Sequence, residues 1–162
     1  MLSEQLRDSA IAAAVEDWNP SAIADGNRAL GETTLVIAPE LILATCRFLK
    51  DVQKFVRLSS VTAVDWHPQE PRFEVVYHLH SLDRNERVRL KVRLPGDNPQ
   101  VDSVTPVWRG ANWYERETFD LFGITFLGHP NLTRIMMPEY WEGHPLRKDF
   151  PVHGHKYTYQ ME

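Results

Sequence analysis

One cysteine, Cys46, stands among 162 residues. It excludes an internal disulfide, and a single thiol cannot hold an iron–sulfur cluster, which takes about four ligands. That usage fits a reducing compartment. Long apolar runs are also missing: Ile11–Val15 and Leu41–Ala44 fall far short of the roughly 20 residues a bilayer span needs. There is no cationic excess. Eighteen Lys and Arg face 22 Asp and Glu, a formal net charge of -4, which argues against free-standing nucleic-acid binding. No Gly-rich phosphate loop, CxxC pair or HExxH is present, so nucleotide and zinc-hydrolase chemistry lack their usual carriers. The opening Met1–Asp8 has no basic stretch followed by an apolar core and does not read as a signal peptide. What is present is a 43% hydrophobic chain, long enough for one domain with a real core.

Hydrophobic periodicity orders the chain. An Ala- and Leu-rich helix is predicted from Ser3, as N-cap, to about Asp17, with Leu6, Ala10, Ala13 and Ala14 as a thin apolar stripe and Asn19-Pro20 as its stop. Thr33–Ala38 is β-branched and reads as a strand. Pro39 then opens a helix to about Gln53, where Leu41, Thr45, Phe48, Leu49 and Val52 recur at helical spacing. Val61–Trp66, Phe73–Leu79 and Arg87–Leu94 carry strand alternation, and the polar Ser81–Glu86 link makes the last two a hairpin. Trp108 to Phe122 reads as a helix ended by Gly123. Beyond it Pro130, Pro138, Pro145 and Pro151 exclude a long helix or a central strand, yet Phe126, Leu127, Trp141, Phe150, Tyr157 and Tyr159 are unlike a disordered tail. The expectation is an α+β domain over residues 1–122, helices on one mixed or antiparallel sheet. An extended arm over 123–162 follows and must lie on a surface, either the domain's own sheet or a partner subunit.

The chemistry-bearing residues point the same way. His78 and His80, and again His153 and His155, sit at i, i+2 with no cysteine nearby to complete a zinc set. Cys46, mid-helix, reads as an inert thiol. The row Arg87, Arg89, Lys91, Arg93 reads as a solvated strand face or one opposed by acidic side chains. On the Glu115–Gly123 helix, Arg116 and Asp120 are i, i+4 neighbours able to pair. Glu117 and Asp120 form a like-charge pair that wants a cation, and Arg134, Arg147 and Lys148 of the arm could supply it. Glu115 and Glu117 lie about 200° apart around a helix, a poor geometry for a catalytic dyad. Gly128-His129-Pro130 and Gly143-His144-Pro145 read as two defined turns. A stand-alone enzyme using Glu117, Asp120 and His129 as acid–base groups is the reading from a different class.

Trp113-Tyr114-Glu115-Arg116-Glu117-Thr118-Phe119-Asp120-Leu121-Phe122-Gly123-Ile124, then Phe126–Pro130, then Gly143-His144-Pro145-Leu146-Arg147-Lys148-Asp149-Phe150-Pro151 together resemble the signature of the 30-kDa subunit family of respiratory complex I. This is the C subunit of bacterial NADH–quinone oxidoreductase and the J subunit of the plastid enzyme. One departure is visible: Thr133 precedes Arg134 where the family commonly has two basic residues. The resemblance implies a non-catalytic, cofactor-free subunit of the hydrophilic arm, inactive alone, in a hetero-oligomer whose FMN and iron–sulfur clusters lie in other subunits. It implies packing on the large 49-kDa-type quinone-site subunit, at the cytoplasmic face of the inner membrane, with no span of its own and no nucleic acid. Glu115, Arg116, Glu117, Asp120, His129, Arg134, His144, Arg147, Lys148 and Asp149 are then interface or structural residues. Related subunits of membrane-bound hydrogenases and of F420- or ferredoxin-dependent complexes are the alternative, because the electron donor binds elsewhere.

Overall fold

Alternation of apolar and charged side chains between residues 57 and 94 builds the centre of the molecule. In the computed structural model, which describes residues 6–151, β3 (Arg57–Asp65), β4 (Phe73–Ser81) and β5 (Glu86–Leu94) form an antiparallel meander. Two strands lie beyond β5: β1 (Ile23–Ala29) and β2 (Glu32–Ile37), the latter parallel to β5. The sheet order is β1-β2-β5-β4-β3, so the sheet is mixed. Phe73, Val75, Tyr77 and Leu79 of β4 and Val88, Leu90, Val92 and Leu94 of β5 point to one buried face. There they join Ile11, Ala12 and Val15 of α1 (Ala10–Trp18), Ile42, Cys46 and Leu49 of α2 (Ile42–Asp51), and Ala111 and Phe122 of α3 (Ala111–Phe122) in one core. The α+β architecture expected from the sequence is the one observed.

The other face carries the basic row. Arg89 pairs with Glu32 at 2.7 Å, Lys91 with Glu74 at 2.7 Å, and Arg93 reaches Asp25 at 3.8 Å. Acidic side chains of the same sheet thus oppose the cations across the strands.

Several elements differ from the sequence expectation. Helix α1 begins at Ala10, not Ser3, which lies outside the described residues together with His153, His155, Tyr157 and Tyr159. Ser9 is its cap, accepting the Ala12 N–H at 3.3 Å. The buried stripe is Ile11, Ala12 and Val15, whereas Ala10 is exposed; the larger side chains decide which face turns inward, because they offer more apolar area. Pro39–Leu41 form a single 3-10 turn ahead of α2, and Val52 past its end is exposed. Strand β1 has no counterpart in the sequence expectation. It is an edge strand, exposed along most of its length, so no alternation marks it. Its turn, Leu30-Gly31, has φ of 52° and 79°, the positive values a two-residue hairpin turn requires. Gly26 is needed for close approach: a Cβ there would lie 2.6 Å from the Thr34 carbonyl oxygen. Two three-residue strands, β6 (Gln100–Asp102) and β7 (Thr125–Leu127), pair in parallel and fasten the root of the proline-punctuated segment.

Candidate functional site

The C-terminus of α3 shows how the arm is held. Gly123 caps the helix at φ 74°, its N–H donating to the Phe119 carbonyl at 2.8 Å. A Cβ at Gly123 would come within 2.6 Å of the Arg147 guanidinium and the His144 ring, so glycine is required both for backbone conformation and for room. The helix's last carbonyls, which have no partner within the helix, accept from the arm. Leu146 N–H donates to Leu121 O at 3.0 Å, Arg147 Nε to Phe122 O at 2.6 Å, and His144 Nδ1 to Asp120 O at 2.9 Å. Burial and the neighbouring guanidiniums hold the His144 pKa below its ordinary value.

Asp120, fully buried, is the principal anchor. Its Oδ2 accepts the backbone N–H groups of Ile135, Met136 and Met137 at 2.9, 2.7 and 2.9 Å, and its Oδ1 accepts Arg134 Nη1 at 2.6 Å. Arg134 also donates to the carbonyls of Asp120 and Gly143. Burial acts to raise the Asp120 pKa, but these donors outweigh it and hold the carboxyl below its ordinary range.

Glu115 is equally buried but differently placed. Its Oε1 accepts Val104 N–H at 2.7 Å and its Oε2 lies 2.6 Å from Ser103 Oγ. Burial pushes its pKa up to about 7 against the pull of those two contacts. His129 sits with Nε2 4.0 Å from Oε2. That nitrogen donates to the Asn112 carbonyl at 3.3 Å, while Nδ1 accepts Asn131 N–H at 3.0 Å.

A second clasp lies at the end of the arm. Arg72 donates from Nε and Nη2 to both oxygens of Asp65 at 2.9 Å, and from Nη1 and Nη2 to Asp149 at 3.0 and 2.7 Å. The Lys148 N–H adds a bond to Asp65 Oδ2 at 2.9 Å. Both Arg72 and Arg147 lie over the Phe73 ring, 4.9 and 5.2 Å from its centroid.

Of the residues singled out from sequence, Glu115, Asp120, His129, Arg134, His144 and Arg147 meet around α3, and Lys148 and Asp149 meet at the second clasp. The cation expected for Asp120 is Arg134. Arg147 instead caps a carbonyl, and Lys148 contributes its backbone N–H. Arg116 does not pair with Asp120, because Asp120 turns inward. Its guanidinium donates to Thr133 O and Oγ1 at 3.1 and 2.9 Å and lies over the Trp113 ring at 5.1 Å. Thr133, standing where a basic residue is expected, is thus a hydrogen-bond partner for Arg116. Glu117 is exposed. With no buried charge to strand, Arg116→Ala is expected to cost less than about 1 kcal/mol in the isolated chain, measured by urea unfolding.

Sequence reasoning does not find Asp65, Arg72 and Ser103. Asp65 has a signal: it continues the parity of Val61 and Ala63 on β3, so strand alternation puts a carboxylate on the inward face, where it requires a cation. Arg72 supplies it from across a seven-residue excursion that no local spacing reveals.

The shared segment therefore builds a clasp that straps the arm across α3 and the end of the sheet, in an α+β domain of mixed sheet order. Residues 35–156 match the family described as the respiratory-chain NADH dehydrogenase 30 Kd subunit, and the chain belongs to that family. It is 53% identical over 136 residues to the C 2 subunit of the NADH-quinone oxidoreductase of Rhizobium etli (strain CIAT 652), covering 83% of this chain and 72% of the relative. With the C subunit of the NADH-quinone oxidoreductase of Roseiflexus sp. (strain RS-1) it shares 50% identity over 135 residues, covering 82% of this chain and 78% of the relative. Among solved structures, a trypsin-resistant fragment (1-134) of Nqo5 matches with TM-score 0.66 and 30% identity over 75% of this chain and 98% of that one. The membrane-bound sulfane sulfur reductase, an archaeal respiratory membrane complex, contains a chain matching with TM-score 0.71 and 28% identity, covering 88% of this chain and 84% of that one. No helix among the described residues is long and apolar enough to cross a membrane.

Proposed function

We propose that this chain is a structural subunit of the hydrophilic arm of an NADH–quinone oxidoreductase, carrying no redox centre and no catalytic residue of its own. It packs on the large quinone-site subunit and holds the electron-carrying and quinone-binding parts in register. FMN and iron–sulfur clusters belong to other subunits, and the chain is peripheral, at the cytoplasmic face of the inner membrane. One observation carries the reading. The motif's buried charges and its arginines are engaged within the chain, while Trp113, Leu127, Met136, Tyr140 and Leu146 of α3 and the arm remain exposed. Aromatic and Met side chains are enriched at interfaces, and a strap already fixed in shape presents them at a smaller ordering cost. On this reading the chain divides into a core over 1–122 and a docking arm over 123–162.

The likeness to a chain of the archaeal sulfane sulfur reductase favours a second reading, in which this is the equivalent subunit of a related respiratory membrane complex with another electron partner. Affinity purification through a tag on this chain decides between them. We expect co-purification of a large quinone-site subunit together with NADH-oxidising, flavin-containing subunits. Recovery without the NADH-oxidising subunits supports the second reading, and recovery of the chain alone overturns both. Replacing Trp113 and Tyr140 with serine is expected to lower the yield of complex while leaving the urea midpoint of the isolated chain unchanged.

A further inference from the structure

We propose that Glu115 is a proton-binding site built into the core, exchanging one proton with solvent through the hydroxyls of Ser103 and Thr105 while His129 stays neutral in both states. The proposal rests on this chain alone and is independent of the assembly reading.

Asp120 and Asp65, the other buried carboxylates of the clasp, each have an arginine. Glu115, also fully buried, has none among the described residues; its one ion-pair candidate is His129. The imidazole's own bonds exclude that role. Nδ1 accepts the Asn131 N–H and Nε2 donates to a carbonyl, so the ring is the neutral tautomer with hydrogen on Nε2. A second proton would break the Asn131 bond and place a cation in a buried site. Burial and nearby Arg116 also lower the His129 pKa.

Two further titratable groups facing Glu115 are uncharged. The Cys46 thiol of α2 and the Tyr77 phenol of β4 are both pushed up by burial, with the Glu115 charge contributing. Asp102 of β6 adds a smaller push on Tyr77, and the Lys50 ammonium is held by the Val107 carbonyl at 2.5 Å. A carboxylate here would be a buried charge without a counter-ion, and the protonated acid is the form the surroundings favour.

A path for the proton is present. Ser103 Oγ is 2.6 Å from Glu115 Oε2 and 2.7 Å from Thr105 Oγ1, and Thr105 is half-buried. In the protonated state Glu115 Oε2–H donates to Ser103 Oγ and Ser103 donates to Thr105. On release, the carboxyl proton moves to Ser103 Oγ, the former Ser103 proton moves to Thr105 Oγ1, and the former Thr105 proton leaves to water. Both hydroxyl bonds then run the other way, with Ser103 donating to the carboxylate. The Val104 and Thr105 N–H groups keep their acceptors in both states. One proton is lost, the heavy atoms stay in place, and a negative charge appears between the β6 extension and the root of the arm.

The linkage has a definite sign. The native pKa is raised to about 7, above the roughly 4.3 of an unfolded glutamate. The native state therefore binds more protons across that window, and folding stability falls as pH rises through it, levelling off above the native pKa. Glu115→Gln, which keeps an acceptor for Val104 and a donor for Ser103, is expected to remove this slope.

The test is a carbon-detected NMR titration of the full ¹³C-labelled chain, with the Glu115 side-chain signal assigned by its loss in Glu115→Gln. The expected midpoint is about 7. Ser103→Ala should raise it further, because the Ser103 hydrogen bond favours the ionised form. A midpoint in the ordinary range of about 4 to 5 overturns the proposal. So does protonation of His129 in step with release from the carboxyl. The wild-type titration decides even if neither variant folds.

Discussion

Asp120→Ala is expected to cost about 3–5 kcal/mol of folding stability, the scale of breaking a buried, hydrogen-bonded charge pair. The carboxylate is fully buried and accepts from Arg134 and three consecutive backbone N–H groups of the arm. Removing it leaves a guanidinium and three amides facing a void, each having given up water for a partner that is gone. Asp120→Asn should recover little, since its NH2 group would point a donor at donors. The pH dependence has a sign. The native carboxyl is held below its ordinary pKa, so its contribution is complete above about pH 4, the unfolded value, and is lost as pH falls through the native pKa. The gap between wild type and Asp120→Asn should therefore narrow in acid. Urea titrations of both proteins from neutral pH downward measure this. A loss below about 1 kcal/mol at neutral pH would mean that the arm is not fastened by this contact.

The contrast between Asp120 and Arg116 shows what the sequence makes legible. Their i, i+4 spacing allows a pair, and a helix in isolation would form it. Helical spacing says which side chains are neighbours and not which of them turns toward the core, and here the pair is split by burial. The need of Asp120 for an arm cation was legible, because a like-charge neighbour and a basic arm are both visible in the chain. The central strands, the hairpin and the Gly123 stop were legible because each carries a local signal: strict alternation, a polar link, a glycine at a helix end. Strand β1 was not, because an exposed edge strand has no buried face to pattern it, and its turn holds Leu30 at a positive φ that the residue type does not announce. Glu115 stands among the site residues read from sequence, but its distinguishing property, burial without a cation, depends on Ser103 and Val104 arriving from the loop before α3. The family segment was recognisable as a whole because its order of glycines, prolines and charges extends over both turns of the arm.

Arg72→Ala is the second change expected to have a large effect, and it separates the two halves of one ion triad. Asp65 is 2% exposed at its side chain and Asp149 is 45% exposed, yet both accept from the same guanidinium. Losing Arg72 leaves Asp65 as a buried negative charge held, among the described residues, by the N–H groups of His67 and Lys148, which should cost about 3–5 kcal/mol. Losing Asp149 removes a partner that water already screens, and Asp149→Ala should cost below about 1 kcal/mol. Arg72→Lys should not restore the wild type, since one ammonium cannot offer the parallel donors that grip both oxygens of Asp65 while reaching Asp149. The pair Asp65→Asn with Arg72→Met tests the cause. If the loss in Arg72→Ala is chiefly the stranded carboxylate, the double variant, which buries no charge, should be more stable than Arg72→Ala at neutral pH. That advantage should shrink in acid, where the stranded Asp65 can take a proton. Equal stability of the two variants at every pH would instead assign the loss to the packing of the Arg72 stem and its guanidinium on Phe73. The clasp would then be an apolar contact, and its charges would serve only to orient it.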